Sequence, residues 1–236
     1  MEEKQQKIKT DGKKYNEAEL PLSRDEVEQA IRKRMSIVNN ELLSGLELIK
    51  NYPRSVTFFG SSRFSSDNKY YKIALELSGR IAKDLNYTVV SGGGPGIMEA
   101  ANKGAFEAGG ASLGIIIKLP QQDNNHYLTK FREFTFFFNR KVVLSFSAET
   151  YIFFPGGFGT LDELFELITL VQTRKIPKVP IILVGSEYWN KLHEFIKETL
   201  FKDYSAIDEK DMSIYKITDS IDEIIEIIKN APLRKE

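Results

Sequence analysis

Residues 88–105, TVVSGGGPGIMEAANKGA, and residues 150–166, TYIFFPGGFGTLDELFE, follow one pattern: a short apolar run, a cluster of glycines, then apolar residues at helical spacing. In each, a β-strand is predicted to turn through glycine into the N-terminus of an α-helix. Glycines at such a turn let the backbone approach a ligand with no Cβ in between. The helix end adds unpaired N–H groups and the positive end of its dipole. Two such turns in one chain point to strands that lead into helices, with an anion held at the strand ends.

The same alternation continues outward. Strands are predicted at 55–60, 87–91, 111–117, 135–138, 150–154, 179–184 and 214–217, with helices at 69–85, 96–108, 139–147, 160–173, 187–200 and 220–229. The apolar runs are continuous, as in strands covered on both faces. The expected fold is therefore α/β, a doubly wound Rossmann-like parallel sheet with helices on both faces, plus an N-terminal helical extension. In the extension, Ser23 and Glu26 form a capping-box pattern that opens a long amphipathic helix. Its stripe of Val27, Ile31, Val38, Leu42, Leu46 and Ile49 is expected to lie on the core. Two parts result: residues 1–52, a polar tail to about residue 20 followed by this helix, and residues 53–236, the nucleotide-binding domain.

The 236 residues suffice for one sizeable core. Lys plus Arg and Asp plus Glu balance at 33 each, so no basic field exists to hold nucleic acid. The absence of cysteine excludes a disulfide framework, a thiol nucleophile and cysteine-based metal sites. The polar N-terminus has no signal or anchor pattern, and no run approaches the roughly 18 apolar residues of a membrane span, so a cytoplasmic protein free of membrane is expected. His126 and His193 have no partner at metal-ligand spacing; both are read as structural, and no metal is expected.

In a doubly wound sheet, ligands bind outside the carboxyl ends of the strands. The first loop there offers Gly60, Ser61 and Ser62, with small hydroxyls that suit an oxyanion or a helix cap. The second contains Gly92, Gly93, Gly94 and Gly96, followed by Met98 and Glu99. A GxGxxG frame begun at Gly94 puts Glu99 where a small residue belongs, and no Lys-Ser/Thr ending of a P-loop follows; neither NAD nor a nucleoside triphosphate is indicated. The third loop runs through Pro155, Gly156, Gly157, Phe158, Gly159 and Thr160, whose hydroxyl suits a phosphate. Glu163 lies one turn into the next helix. A carboxylate repels phosphate, so its place is at a sugar or scissile carbon, or else at the helix dipole. Arg140 and Lys141 follow an aromatic run, 134–138, read as core strand. Cations at a helix start oppose the dipole, so a compensating anion or acid is expected nearby. The planar fork of Arg140 suits bidentate bonds.

The strings GGGPGIMEAANKGA and PGGFGTLDELFE, with Arg140 and Lys141 between them, resemble the LOG family, the cytokinin riboside 5′-monophosphate phosphoribohydrolases once mislabelled lysine decarboxylases. The resemblance spans about residues 55–229, and the PGGxGTxxE signature falls unbroken on residues 155–163. It implies hydrolysis of the N-glycosidic bond of a nucleoside 5′-monophosphate to free base and ribose 5-phosphate. It further implies Glu163 and Arg140 as the catalytic pair, no cofactor, and a homodimer; the helix stripe leaves room for a larger assembly. Ser91 stands where many members have Thr or Tyr, and Glu99 where short plant-type members have Gly; those members also lack the N-terminal helix. These departures bear on the base accepted, not on the chemistry. The alternative within the same fold is a non-catalytic nucleotide or molybdenum-cofactor carrier, for which an Arg140–Glu163 pair is not required. A pyridoxal-dependent decarboxylase needs a Schiff-base lysine, and Lys141 alone lies beside the site.

Overall fold

The structure, a computed structural model, describes residues 23–119 and 124–233; the tail expected up to about residue 20 lies outside the described residues. The chain divides into two units between Ile37 and Val38, a boundary that falls inside helix α1 (Arg24–Lys50).

In the first unit the capping box is formed. The Ser23 N–H donates to the Glu26 carboxylate at 2.7 Å, and the Glu26 N–H donates to Ser23 Oγ at 3.3 Å. Val27, Ile31 and Met35 are exposed. In the second unit Val38 and Ile49 are buried, Leu42 is partly buried and Leu46 is exposed. Within the second unit the stripe thus meets the core, as expected, at Leu42 and Ile49 but not at Leu46. Helical periodicity shows that a face is apolar, not what covers it.

The second unit holds a seven-stranded sheet in the order β4-β3-β2-β1-β5-β6-β7, all neighbours parallel. The strands are β1 (Ser55–Phe59), β2 (Thr88–Ser91), β3 (Ser112–Ile117), β4 (Lys130–Phe134), β5 (Thr150–Phe153), β6 (Ile181–Leu183) and β7 (Tyr215–Ile217). The chain steps outward from β1 to β4, returns to pair β5 with β1 (Thr57 with Tyr151, Phe59 with Phe153), then steps out the other way. The order reverses between β1 and β5, and there the strand ends open a crevice.

Successive side chains point to opposite faces of the sheet. Val56 and Phe58 pack with α2 (Lys69–Leu85), α3 (Ile97–Glu107) and α7 (Ile221–Lys229). Phe59 packs with the end of α1, α4 (Phe137–Ser145), α5 (Phe158–Gln172) and α6 (Ser186–Phe195). The rings of Phe59 and Phe153 stack at 4.7 Å on one face, those of Phe58 and Phe154 at 6.2 Å on the other. Each such side chain, fully buried, contributes about 1.5–3 kcal/mol.

Two elements differ from the sequence reading. The strand expected at 135–138 is instead β4 at Lys130–Phe134, exposed at all but Phe134, and α4 begins at Phe137. An edge strand carries polar residues without penalty, so no apolar run marks it. Phe137 and Phe138, read as core strand, stand exposed on the first turn of α4. The helix expected at 187–200 divides into α6 and a π-helical stretch, Ile196–Asp203, and a 3₁₀ turn, Glu209–Ser213, precedes β7.

The loops after β1, β2 and β5 are joined by main chain. Ser61 N–H donates to the Pro155 carbonyl and the Ser61 carbonyl accepts from Ile97 N–H, both at 3.0 Å. Gly96, with φ 71° and ψ −129°, makes this approach: a Cβ there would overlap the Ser61 carbonyl and strike Ser62. Gly96→Ala is therefore expected to destabilise the protein by about 1–3 kcal/mol, seen as a lower urea midpoint with an unchanged slope. A wild-type midpoint would show that the joint tolerates a side chain.

Candidate active site

The crevice between the ends of β1 and β5 is a cleft of about 770 Å³. Its walls bring together Gly60, Ser61 and Ser62 after β1, Gly92 after β2, Met98 on α3 and Arg140 on α4. From the loop after β5 and from α5 come Pro155, Gly156, Gly157, Phe158, Gly159, Thr160 and Glu163. Five of the expected residues, Gly93, Gly94, Gly96, Glu99 and Lys141, are not among those lining it.

Each of the five has another engagement. Ser91, Asn102, Ser112 and Asn125 form a buried polar network. It takes the Gly93 N–H onto Ser91 Oγ (2.9 Å), and the Gly93 and Gly94 carbonyls accept from Asn125. Gly96 faces Ser61. The Glu99 carboxylate accepts from the Tyr71 hydroxyl of α2 at 2.7 Å. Lys141 Nζ lies 2.7 Å from Asp162 and 4.0 Å from Glu166, bridging α4 to α5. Local sequence shows that such groups are polar; their partners on distant elements decide where they point.

Arg140 sits in the first turn of α4. Its Nε donates to the Ile115 carbonyl at 2.7 Å and its Nη2 reaches the Gly92 carbonyl at 3.5 Å. Burial pulls its pKa below the usual guanidinium value, while the charge of Glu163 pulls it back. A Cβ at Gly92 would overlap the guanidinium, so the close approach requires glycine.

Glu163 is 8% exposed, and its Oε2 has no hydrogen-bond partner among the described residues. Burial pushes its carboxyl up to about 7, against the pull of Arg140 and Lys141. A carboxyl that titrates near neutrality in a cleft is suited to exchanging protons with a ligand. Beside it the first N–H groups of α5 have no intrahelical acceptor, and the N-cap Gly157 brings no side chain to them. Buried Thr160 adds a hydroxyl at the same helix end. The end is arranged for an anion.

Tyr188, whose hydroxyl donates to the Gly156 carbonyl at 2.7 Å, and Phe64 also line the cleft. Neither was singled out in the sequence, where Tyr188 reads as one aromatic on an amphipathic helix. Phe158 is 93% exposed at the lip. His193 Nδ1 pairs with the Tyr215 hydroxyl at 2.9 Å, away from the cleft. Among the described residues no cluster of three or more His, Asp or Glu is suited to holding a metal, and no helix is long and apolar enough to cross a membrane. A second hollow of about 540 Å³ lies between β6, β7 and α7; of its lining charges Lys216 pairs with Glu223, and Glu226 with Lys229.

Residues 98–228, more than half of the chain, match the family described as possible lysine decarboxylase. The cytokinin riboside 5′-monophosphate phosphoribohydrolase LOG1 of Arabidopsis thaliana is 29% identical over 160 residues, covering 66% of this chain and 73% of that one. The enzyme of that name from Rhodococcoides fascians is 28% identical over 149 residues, 61% and 75% of the two chains. Among solved structures, an X-ray structure from a structural-genomics consortium superimposes with a TM-score of 0.57 at 26% identity, covering 75% of this chain and 98% of that one. The molybdenum cofactor carrier protein of Chlamydomonas reinhardtii does so with a TM-score of 0.56 at 18% identity, over 75% and 97%, a likeness of fold alone. With the family match, the unbroken PGGxGT motif and the shared parallel sheet in hand, the chain belongs to the LOG family, the family described as possible lysine decarboxylase.

Proposed function

We propose that the protein is a phosphoribohydrolase that cleaves the N-glycosidic bond of nucleoside 5′-monophosphates of the AMP or cytokinin riboside type, releasing free base and ribose 5-phosphate. The observation that carries this reading is Glu163: a buried carboxyl with an unpartnered oxygen, in the wall of a cleft that also holds Arg140. Pure binding of a phosphate gives no reason to bury a carboxylate beside it.

In this reading the 5′-phosphate lies on the N-terminus of α5, with Thr160, Ser61 and Ser62 supplying hydroxyls. Gly92 and the residues from Pro155 to Gly159 bring main chain close to the ligand. The bond from C1′ to the base breaks with its electron pair leaving on the base, and positive charge develops on the sugar. Glu163, as carboxylate, stabilises that charge and accepts one proton from the attacking water, whose oxygen bonds to C1′; Arg140 stabilises the departing base, which takes up one proton in exchange and leaves neutral. Gly93, Gly94, Gly96, Glu99 and Lys141 support these groups from behind. The reaction needs no cofactor, and the residues make no provision for nucleic acid. We place the enzyme in the cytoplasm, in keeping with a chain that carries no cysteine.

The partner in this reading is a second copy of the chain. Phe138 and Val142 on α4 and Phe146 just past its end, spaced four apart, are exposed, as are Phe158 and Phe165 on α5. Such a face favours association. Light scattering is expected to show a dimer at micromolar concentration, and Val142→Glu to shift it toward monomer. A stable wild-type monomer would remove the claim.

The chemistry is tested with purified protein and a panel of nucleoside monophosphates, following release of ribose 5-phosphate. AMP is expected to turn over far faster than adenosine. Glu163→Gln keeps size and shape but removes the charge, and should lower turnover on the order of 10²–10³-fold while AMP binding persists; Arg140→Ala should lose turnover as well. Near wild-type turnover in the Glu163→Gln protein would sink the mechanism and put the carrier reading ahead.

Glu163 also sets a pH dependence. Turnover needs the carboxylate, so kcat/KM should rise with pH through about 7. Stability runs the other way. The folded value lies above the ordinary 4.5, so the contribution of Glu163 to stability is complete below about 4.5 and is lost as pH rises through about 7. A glutamine does not titrate. The difference in thermal midpoint should therefore move in favour of Glu163→Gln between pH 5 and pH 8, and an unchanged difference would contradict the burial of a titrating carboxyl.

A further inference from the structure

The first turn of α4, which carries Arg140, has no cap of its own. Phe136 at the N-cap position brings no side-chain hydrogen bond to it, and the turn contains no acid. The contact that holds this turn comes from 94 residues upstream and is made just before the helix and on a first-turn side chain. Glu41, in the part of α1 that belongs to the second unit, accepts the Thr135 backbone N–H through Oε1 at 2.6 Å and Asn139 Nδ2 through Oε2 at 2.7 Å. Burial acts to raise the carboxyl of Glu41, but the hydrogen bonds from Asn139 and from the backbone of Thr135 and Phe136 outweigh it, and the group stays below the ordinary carboxylate range.

The surroundings are built for this contact. Asn139 is fully buried, and its Nδ2 donates to Glu41 at 2.7 Å and, more weakly, to the Val38 carbonyl at 3.4 Å, while its Oδ1 has no partner among the described residues, an arrangement that costs stability. One turn along α1, Gly45 allows the helices to close: a Cβ there would come within 2.7 Å of both Phe134 and Val143. The negative charge also lies at a helix start that bears Arg140 and Lys141, where the dipole disfavours cations.

We propose that Glu41 is a positioning residue, which by binding Thr135 and Asn139 holds the first turn of α4 in the place from which Arg140 reaches the cleft. This rests on the role given to Arg140 above. Arg140 is anchored at its far end by the carbonyls of Ile115 and Gly92, and only a fixed helix start lets the near end meet those anchors.

The test uses the full chain with Glu41→Ala, Glu41→Gln and, as a control, Ile228→Val in the core on the opposite face of the sheet. Three readouts are taken: kcat and KM with AMP, the thermal midpoint, and the titration of Glu163 followed by carboxyl carbon NMR. Glu41→Ala is expected to lose about 10-fold or more in kcat, with KM held within about twofold. Its Glu163 should titrate at higher pH, because Arg140, and Lys141 beside it on the displaced turn, favour the carboxylate less; Asp162 and Glu166, the other charges near it, stand on α5 and are untouched. Glu41→Gln should retain most of kcat, since it still accepts from Thr135 and, with the Asn139 amide turned over, donates to Oδ1. The proposal is overturned if kcat of Glu41→Ala stays within twofold of wild type, if Ile228→Val at a comparable fall in midpoint loses as much, or if Glu163 titrates as in wild type. Should Glu41→Ala fail to fold, Glu41→Asp, one methylene too short, is judged by the same criteria. Should the wild type release no ribose 5-phosphate, the functional reading fails by itself, and the Glu163 titration alone decides the positioning role.

Discussion

The main chain of Ser61 is the joint on which the cleft depends. Its N–H binds the loop after β5 and its carbonyl binds the start of α3, so one residue ties together three loops that leave three different strands. Main-chain bonds of this kind do not relax with a rotamer change. They are available only because β1 and β5 are neighbours at the point where the sheet reverses its winding. The glycine at 96 follows from the joint, because no side chain fits against the Ser61 carbonyl.

With the loops fixed, the fold can hold charges in places where water would otherwise screen them. Glu163 is buried and Arg140 partly buried, and both are displaced from their ordinary pKa values in the direction that desolvation dictates. The hydrogen bonds of Arg140 go to carbonyls of β3 and the glycine loop, leaving the carboxyl of Glu163 with an oxygen free for a ligand. A pair arranged this way contributes little to stability, since desolvation offsets attraction. Its cost is met by the aromatic and aliphatic core on both faces of the sheet.

What was legible in the sequence follows from this division of labour. The glycine loops were readable because close backbone approach restricts the residue type, and β1, β2, β3, β5 and β6 because burial on both faces demands continuous apolar residues. Strand β4 was hidden because an edge needs no such run, and the neighbouring FTFFF segment, rich in residues favoured in strands, drew the assignment to itself. Arg140, Glu163 and Thr160 lie in the cleft walls as their motifs implied. Glu99 and Lys141 do not, because Tyr71 and Asp162, on other elements, hold them. The sequence did require an acid to offset the cations at the start of α4. Nothing local pointed to Glu41, since the contact closes 94 residues of chain.

Helix α4 then emerges as the element where three demands meet within two turns. Asn139, Val143 and Leu144 face inward to Glu41 and the core, Arg140 reaches the cleft, and Phe138 and Val142 stand in solvent. With about 3.6 residues per turn, these three sets necessarily occupy different sides of one short cylinder. A nine-residue helix has few hydrogen bonds of its own with which to resist displacement. Its position is therefore decided by what grips it from outside, by Glu41 at its start and by the Lys141 bridge to α5. The placement of a guanidinium in the cleft thus depends on two side chains, Glu41 and Lys141, that do not line it.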